Sequence, residues 1–457
     1  MNKLIIAKFG GSILRSGSDY IRAAKIVRSL VEKGYEVVVV VSAMEGVTDF
    51  LLKFSDFPAA EVAKKIHYRY FDALSSIIGS PAIQWSNIVR SFMFLSNELI
   101  RALWAVNVLK EMTPRINDYI LSFGERFSVI LMTAALNKVG LKAKWFTGRE
   151  AGIVTDSTFG EAKPIDEISR KLVRETILST LDDGKIPVIT GFIAGTLEGS
   201  ITVLGRGGSD YTATLLAKYL NAKEVRLYTN VPGIMTANPS KVDNAKVIPV
   251  MNFDEAIELA YLGAKRFHPR TFEPIRNTEC TVKVLHIDNS EGTIINRSGG
   301  KPPLKAVAVL ENLALVSVIG TGMVGKLGAA AKIASIFAEQ GVNIIGIVQP
   351  ISEISISFII ERNNVVKVLP RLKELIGKKL IREVFVLEPI AAASIVGQGI
   401  RSSEILEHVV KKALSWPIKI ISWSISNVSI SFAIPQEKVW DFTRKIHEEV
   451  ILKWWIS

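Results

Sequence analysis

The sequence predicts an α/β protein: an αβα sandwich around a mainly parallel sheet, followed by two smaller α+β units. Three observations carry this. The apolar segment Leu4–Ala7 runs into Gly10-Gly11, and a helical pattern and the β-branched run Val37–Val41 follow. A Gly- and Pro-rich stretch at 296–304 interrupts the pattern late in the chain. Beyond it, one arrangement of residues occurs twice. The 457 residues suffice for two or three domains at roughly 100–200 residues each.

The elements follow in order. Ile21, Ala24, Val27, Leu30 and Val31 share a helical face that Gly34 ends. Val37–Val41 is apolar on both faces, as a buried parallel strand is. Strand, helix, strand in that order implies a right-handed crossover. Residues 50–140 are predicted mainly helical, with further strands at Val188–Ala194, Val225–Thr229 and Val282–Ile287. This first domain covers 1–295, and 296–304 is a linker. Repeated units then cover 305–380 and 381–457. In them Ile319-Gly-Thr-Gly-Met323 parallels Val396-Gly-Gln-Gly-Ile400, and Ser355-Ile-Ser-Phe358 parallels Ser429-Ile-Ser-Phe432. Each copy reads strand, glycine turn, helix, two strands, helix.

Composition removes several classes. Hydrophobic residues are 48% and charged residues 22%, which excludes wholesale disorder. The single cysteine, Cys280, rules out a disulfide framework and a cysteine-based zinc cluster, and suits a reducing cytosol. The five histidines lack metal-ligand spacing, so no metal site is expected in the protein itself. The run Val37–Val41 is far shorter than the roughly 20 residues that span a bilayer, so no membrane segment is expected and the protein is predicted cytoplasmic. The net charge of +12 is dispersed rather than gathered in a basic stripe, which argues against nucleic acid.

Two glycine loops carry the chemistry. Lys8-Phe-Gly-Gly-Ser12 follows a strand, so the amides of Gly10 and Gly11 can approach an anion and Lys8 can reach phosphoryl oxygens. Gly205-Arg-Gly-Gly-Ser-Asp210 opens a helix marked by Tyr211, Leu215, Leu216, Tyr219 and Leu220, with Ser209 or Asp210 as its expected cap. Three glycines around an arginine exceed what a capped helix requires. Arg206 suits a carboxylate held in bidentate fashion, and Asp210 suits an orienting or proton-accepting role beside Lys8. Three weaker clusters are Ser122-Phe-Gly-Glu-Arg126, Tyr228-Thr-Asn-Val-Pro-Gly-Ile-Met-Thr-Ala-Asn-Pro239 and Gly263-Ala-Lys-Arg-Phe-His-Pro-Arg270. The second of these ends a strand, where nucleotides lie in open α/β sheets.

Taken in order, Lys8-Phe-Gly-Gly-Ser12, Val41-Ser-Ala-Met44 with Gly46-Val-Thr48, Ser122-Phe-Gly-Glu125, Gly205–Asp210, and Gly263-Ala-Lys265 with His268-Pro-Arg270 resemble the aspartate kinases over nearly the whole chain. The repeated units resemble that family's tandem ACT domains. The resemblance implies the amino-acid kinase fold and ATP- and Mg²⁺-dependent phosphorylation of the β-carboxylate of L-aspartate, towards lysine, threonine and methionine. It implies that Lys8 and Asp210 act at the transferring phosphoryl group. Ser42, Thr48, Glu125, Arg206 and Ser209 would hold the amino acid. Lys8, Gly10, Gly11, Gly207, Gly208, Thr229, Asn230, Met235 and Lys265 would line the nucleotide site. The chemistry is consistent: phosphoryl transfer needs alignment and charge neutralisation, and a carboxylate acceptor is already a nucleophile at neutral pH.

The chain departs from the family pattern in the third cluster. Asn230, Pro232, Met235, Asn238 and Ser240 stand where acids, an aromatic and an arginine are usual. Two other readings stay open on these grounds: a kinase of another amino acid such as homoserine, and a non-catalytic amino-acid sensor. Gly320-Thr-Gly-Met-Val-Gly325 fits a dinucleotide fingerprint, but its second copy, Gly397-Gln-Gly-Ile-Arg-Ser402, lacks the third glycine. The resemblance instead makes this turn an effector site, with Asn343, Gln349, Ser352 and Glu353. Gln349 would meet a threonine hydroxyl, and Ile345 stands where lysine-sensitive members often carry an acid, so threonine is favoured over lysine. Trp423 and Asn427 replace Gln349 and Glu353 in the second copy, which marks that copy as structural. A homodimer or higher homo-oligomer through the ACT units is expected.

Overall fold

A computed structural model describes residues 3–79, 87–262, 267–288, 291–377 and 381–456. The chain forms two compact units. The first takes in the chain up to Ile234, Pro249–Ile257 and Phe267–Gly299. The second takes in Met235–Ile248, residues 258–262 and the chain from Gly300 onward.

The first unit is built on β1 (Leu4–Phe9), β2 (Glu36–Val41), β3 (Ala143–Phe146) and β4 (Ile186–Thr190), with β5 (Ile193–Gly195) and β6 (Ile201–Val203) as a separate hairpin. It continues with β7 (Glu224–Thr229), β8 (Val250–Asn252), β9 (Thr281–His286) and β10 (Gly292–Asn296). The eight-stranded sheet runs β3-β4-β2-β1-β7-β9-β10-β8, and only the β9–β10 pair is antiparallel. Its helices are α1 (Gly17–Glu32), α2 (Val47–Leu52), α3 (Ala59–Ile78), α4 (Asn87–Leu109), α5 (Pro114–Leu121), α6 (Phe123–Lys138), α7 (Asp166–Asp182), α8 (Gly208–Leu220) and the start of α9 (Phe253–Tyr261). Ile5, Ala7 and Phe9 align with Val37, Val39 and Val41, and this face packs on Tyr20, Ala23, Ala24 and Val27 of α1. The continuous β-branched run is thus buried on both sides, as its composition requires.

Two expectations are corrected. The strand placed at Val188–Ala194 is two strands, because Phe192 adopts φ of 65° and turns the chain out of the main sheet into the β5–β6 hairpin. The stretches Asn87–Leu109 and Pro114–Lys138 are both long and apolar enough to cross a membrane by length and composition, contrary to the reading from Val37–Val41 alone. The second is 89% buried in its most apolar window, as a core helix is.

The second unit has one antiparallel six-stranded sheet, β12-β13-β11-β14-β16-β15. Its strands are β11 (Ala306–Ile319), β12 (Gly346–Val348), β13 (Ser355–Glu361), β14 (Glu383–Val396), β15 (Ser422–Ile425) and β16 (Ser429–Pro435). The helices are α10 (Ala329–Glu339), α11 (Val365–Gly377), α12 (Ser403–Ser415), α13 (Val439–Ile446) and α14 (Lys453–Ile456). Element order matches the repeat, but the sheet interleaves the copies. Ala306 to Leu310 of β11 pairs with the end of β14, and Val307 joins the core under α12 and α13. Val384 and Val386, at the start of β14, pack on the core under α10 and α11. Each copy therefore borrows a strand segment from the other. The predicted linker ends in the core as well: Leu304 is fully buried.

Candidate active site

The carboxyl ends of β1, β2, β4 and β7 converge, which is where open α/β sheets bind ligands. Lys8 lies there, near the end of β1, and its Nζ is 2.5 Å from Asp210 Oδ1. Both side chains are nearly buried, at 11% and 13% exposure, so the pair works in a medium of low polarity. The residues are far apart in sequence, and the parallel order brings the start of α8 against β1.

The start of α8 differs from expectation. Neither Ser209 nor Asp210 caps it; the helix begins at Gly208, and Gly207 is the cap residue in a left-handed conformation, φ 70°. A side chain at Gly207 would strain that backbone, and its Cβ would fall 2.5 Å from His268 Cβ. Asp210 is thereby freed for Lys8. The Gly208 N–H is taken by the Gly205 carbonyl at 3.0 Å, while the N-terminal end of α8 as a whole favours an anion. Ser209 packs on Gly191, where an added Cβ would lie 2.6 Å from Ser209 Cβ.

Glu125 sits in the first turn of α6 and is 3% exposed. Its Oε1 accepts the Ala43 N–H at 3.1 Å, while Oε2 is buried without a partner. Burial pushes its carboxyl up to about 8, against smaller opposing contributions from the Ala43 amide and the Lys8 charge. Such a carboxyl is prepared for a cation that arrives with a ligand. Gly124 lets α6 approach β2 this closely, since a Cβ there would lie 2.6 Å from Ala43 Cβ. Tyr70 Oη locks the junction by donating to the Gly124 carbonyl and accepting the Met44 N–H, both at 2.9 Å.

The remaining predicted residues are placed as follows. Ser42 donates its N–H to the Phe9 carbonyl and is half-buried, as is Thr48 at the start of α2. Gly10 lies over Lys8, with Nζ 3.2 Å from where a Cβ would be. Gly11 approaches the Ala43 carbonyl. Arg206 is exposed and, among the described residues, makes no ion pair. Thr229 is buried, its Oγ1 without a partner, and Asn230 is exposed. Met235 belongs to the second unit, where it bridges Val247. Lys265 lies outside the described residues.

Sequence reasoning missed several supports. Asp118 is fully buried and accepts the N–H groups of Gly160 and Val203 at 2.9 and 3.0 Å, which fixes the strand that leads into Gly205. Burial raises its carboxyl above the usual range. Arg126 makes a two-pronged contact with Glu98, 2.8 Å to each oxygen, and rigidifies the turn after Glu125. Spacing in the sequence carried no signal for either. The break at Gly191-Phe192 had one, a glycine inside a strand pattern.

Residues 3–286 match the amino acid kinase family, and residues 316–375 match an ACT domain. Aspartokinase 1, chloroplastic, of Arabidopsis thaliana is 30% identical over 97% of this chain and 79% of its own. The chain belongs to the aspartokinase family. The aspartokinase of Geobacillus stearothermophilus is also 30% identical, over 97% of this chain and 96% of its own. The crystal structure of Escherichia coli aspartokinase III with aspartate and ADP superposes with a TM-score of 0.79 at 27% identity, covering 98% of this chain and 100% of that one. That enzyme with lysine and aspartate gives a TM-score of 0.77. As an aspartokinase this chain is an enzyme, an aspartate kinase that uses ATP and Mg²⁺, with an amino-acid substrate and an amino-acid effector.

The aspartokinase site fits Mg²⁺ that travels with ATP. Such an ion keeps several waters and phosphate ligands and takes only one or two protein carboxylates. Asp210, beside its pair with Lys8, is the carboxylate there that would take part in holding it. Among the described residues no three acidic, histidine or cysteine side chains gather as a separate metal site.

In the second unit the glycine turn and the effector segment meet. Gly325 donates its N–H to Glu353 Oε2 at 2.8 Å, and Gly320 donates to the Ile354 carbonyl at 2.8 Å. Gln349 and Ser352 are exposed beside them in sequence. Asn343 is exposed on a groove with Leu310, Asn312, Ile345 and Glu361. Antiparallel neighbours on this sheet exclude a dinucleotide-binding half, which needs parallel strands.

Proposed function

We propose that the chain transfers the terminal phosphoryl group of ATP to the β-carboxylate of L-aspartate. The bond from the β,γ-bridging oxygen to the γ-phosphorus breaks, and one from a carboxylate oxygen to that phosphorus forms. ADP and 4-phospho-L-aspartate leave. The Lys8–Asp210 pair carries this reading, because it sets an ammonium at the N-terminal turn of α8. In it Lys8 neutralises charge that spreads over the phosphoryl oxygens, and Asp210 aims the ammonium. Glu125 takes the α-ammonium of the substrate and Arg206 its α-carboxylate, with Ser42, Thr48 and Ser209 adding hydrogen bonds. Gly10, Gly11 and Gly207 offer amides to the phosphates, and Gly208, without a side chain, leaves room for them. Thr229 and Asn230, at the end of β7, complete the nucleotide site on the first unit. Bound Mg²⁺ adds further neutralisation of phosphate charge.

The same reading assigns 1–295 to catalysis and 305–380 and 381–457 to ACT units, with β11 and β14 shared between them. Threonine is favoured over lysine as effector at Asn343, Gln349, Ser352 and Glu353. The support is that Ile345 itself carries no charge and packs on an apolar cluster with Leu313 and Leu315. The ACT units associate as a homo-oligomer, and the protein works in the cytoplasm, its one thiol buried. Purified protein with Mg·ATP, a panel of amino acids and hydroxylamine tests the acceptor. An acyl hydroxamate from aspartate supports the assignment; ADP formed only with homoserine overturns it. Inhibition by lysine and not by threonine overturns the effector.

A further inference from the structure

One buried hydroxyl ties together the two segments that present Glu125. Tyr70, on α3, is fully buried, and its ring stacks on Phe127 with centroids 5.0 Å apart. Its Oη accepts the Met44 N–H and donates to the Gly124 carbonyl, both at 2.9 Å. Each of these groups adjoins one half of the Glu125–Ala43 contact. Met44 follows Ala43, whose N–H donates to Glu125 Oε1 at 3.1 Å. The Gly124 carbonyl belongs to the peptide that leads into Glu125. A single oxygen therefore sets the distance between the turn after β2 and the first turn of α6, and with it the angle at which Oε1 meets Ala43. Oε2 is buried without a partner, so the contact at Oε1 decides where it points.

Packing alone does not ask for this oxygen. The ring fills its place beside Phe127 and Phe92, and a phenylalanine would do the same without a polar atom to satisfy. Burial holds the hydroxyls of both Tyr70 and Tyr20 well above the usual phenol range, so each stays protonated and able to donate. Tyr20, on α1, donates to Ser128 Oγ at 2.9 Å. Ser128 lies one turn beyond Gly124 on α6, with Oγ 3.5 Å from Tyr70 Oη. Helices α1, α3 and α6 thus meet around three buried hydroxyls, and that of Tyr70 is the one bonded to the turn after β2.

We infer that Tyr70 is a positioning residue for amino-acid binding: through the main chain of Met44 and Gly124 it aims the Glu125 carboxylate at the substrate ammonium. This rests on the reading of Glu125 given above. Steady-state kinetics of the full-length protein with Mg·ATP and aspartate test it. Tyr70→Phe keeps the ring and removes the oxygen. It is expected to raise the KM for aspartate about tenfold, with kcat and the KM for ATP within about twofold of the unaltered chain. Tyr20→Phe breaks the neighbouring bond to Ser128; it is expected to lower thermal stability and leave all three constants unchanged. The effect should pass through Glu125, so Tyr70→Phe added to Glu125→Gln should raise the KM for aspartate no further. Gly124→Ala, whose Cβ would lie 2.6 Å from Ala43 Cβ, parts the same two segments and should show the same aspartate-specific rise. It decides the matter if Tyr70→Phe does not fold. Lowered stability in Tyr70→Phe with an unaltered KM for aspartate overturns the inference. So does an equal rise in Tyr20→Phe, or a rise that adds in full to that of Glu125→Gln. An unaltered KM for aspartate in Glu125→Gln removes the reading of Glu125 and this role with it, whereas a raised KM there and none in Tyr70→Phe removes the role of Tyr70 alone.

Discussion

Aspartate binding should release a proton, and Glu125 sets how much. Burial raises its carboxyl from the usual 4.5 to about 8, so at pH 7 roughly nine in ten free molecules carry it neutral. In the proposed complex the substrate ammonium needs the carboxylate. Ionising Glu125 at pH 7 then costs about 1.4 kcal/mol, a tenfold loss of affinity relative to pH above 8. Affinity should rise about tenfold per pH unit up to pH 8 and then level off. Calorimetry at pH 7 in two buffers of different ionisation enthalpy should report release of about 0.9 proton per aspartate bound. Glu125→Gln should bind aspartate more weakly and without this proton linkage. Stability has the opposite sign. A carboxyl raised in the folded state contributes stability that is complete below about 4.5 and is lost as pH rises through 8. The ligand-free protein should therefore lose thermal stability from pH 6 to pH 9, and Glu125→Gln should lose less. Equal proton release by the wild type and Glu125→Gln would refute the reasoning.

Three further outcomes follow from packing and placement. Gly191→Ala forces a Cβ to within 2.6 Å of Ser209 Cβ and 2.9 Å of its Cα. Overpacking of this kind costs about 1–3 kcal/mol, so thermal stability and kcat/KM should both fall, and an unchanged kcat/KM contradicts the role of this contact. Arg206→Ala should raise the KM for aspartate at least about tenfold with little change in KM for ATP, as expected for loss of a two-pronged carboxylate contact. Gln349→Ala should relieve threonine inhibition and leave the uninhibited rate unchanged, which dose-response curves in the steady-state assay would show.

The parts of the fold that were legible from sequence had short-range causes. The β-branched run at Val37–Val41 can only be a buried strand, and the repeat after residue 305 announced two similar units. The sharing of β11 and β14 between those units was not legible. Each strand carries a polar break at mid-length, Glu311-Asn312 in β11 and Glu388-Pro389 in β14, where the pairing register shifts; in the sequence such a break reads as the end of a strand, not as the point where one strand passes from one unit to the other. In the site, Lys8 and Asp210 stood out because each flanks a glycine loop, whereas Glu125 and Arg206 were singled out with the help of a family resemblance. The ion pair of Lys8 with Asp210 was a conjecture of order along the chain that the parallel sheet made real. Asp118, Tyr70 and the Glu98–Arg126 contact were invisible. Each acts through a backbone group or a partner that only the tertiary fold brings near. The expectation of a cap at Ser209 or Asp210 failed for a simple reason: Gly207 already supplies the left-handed turn, which leaves Asp210 free for Lys8.

Turnover by Lys8→Ala, measured beside its aspartate binding and thermal melt, tests the central claim most directly. The account predicts a fall in the rate of acyl-phosphate formation of about 1,000-fold or more, with the fold intact and aspartate still bound. A variant that folds, binds both substrates and turns over within about tenfold of the wild type would contradict it.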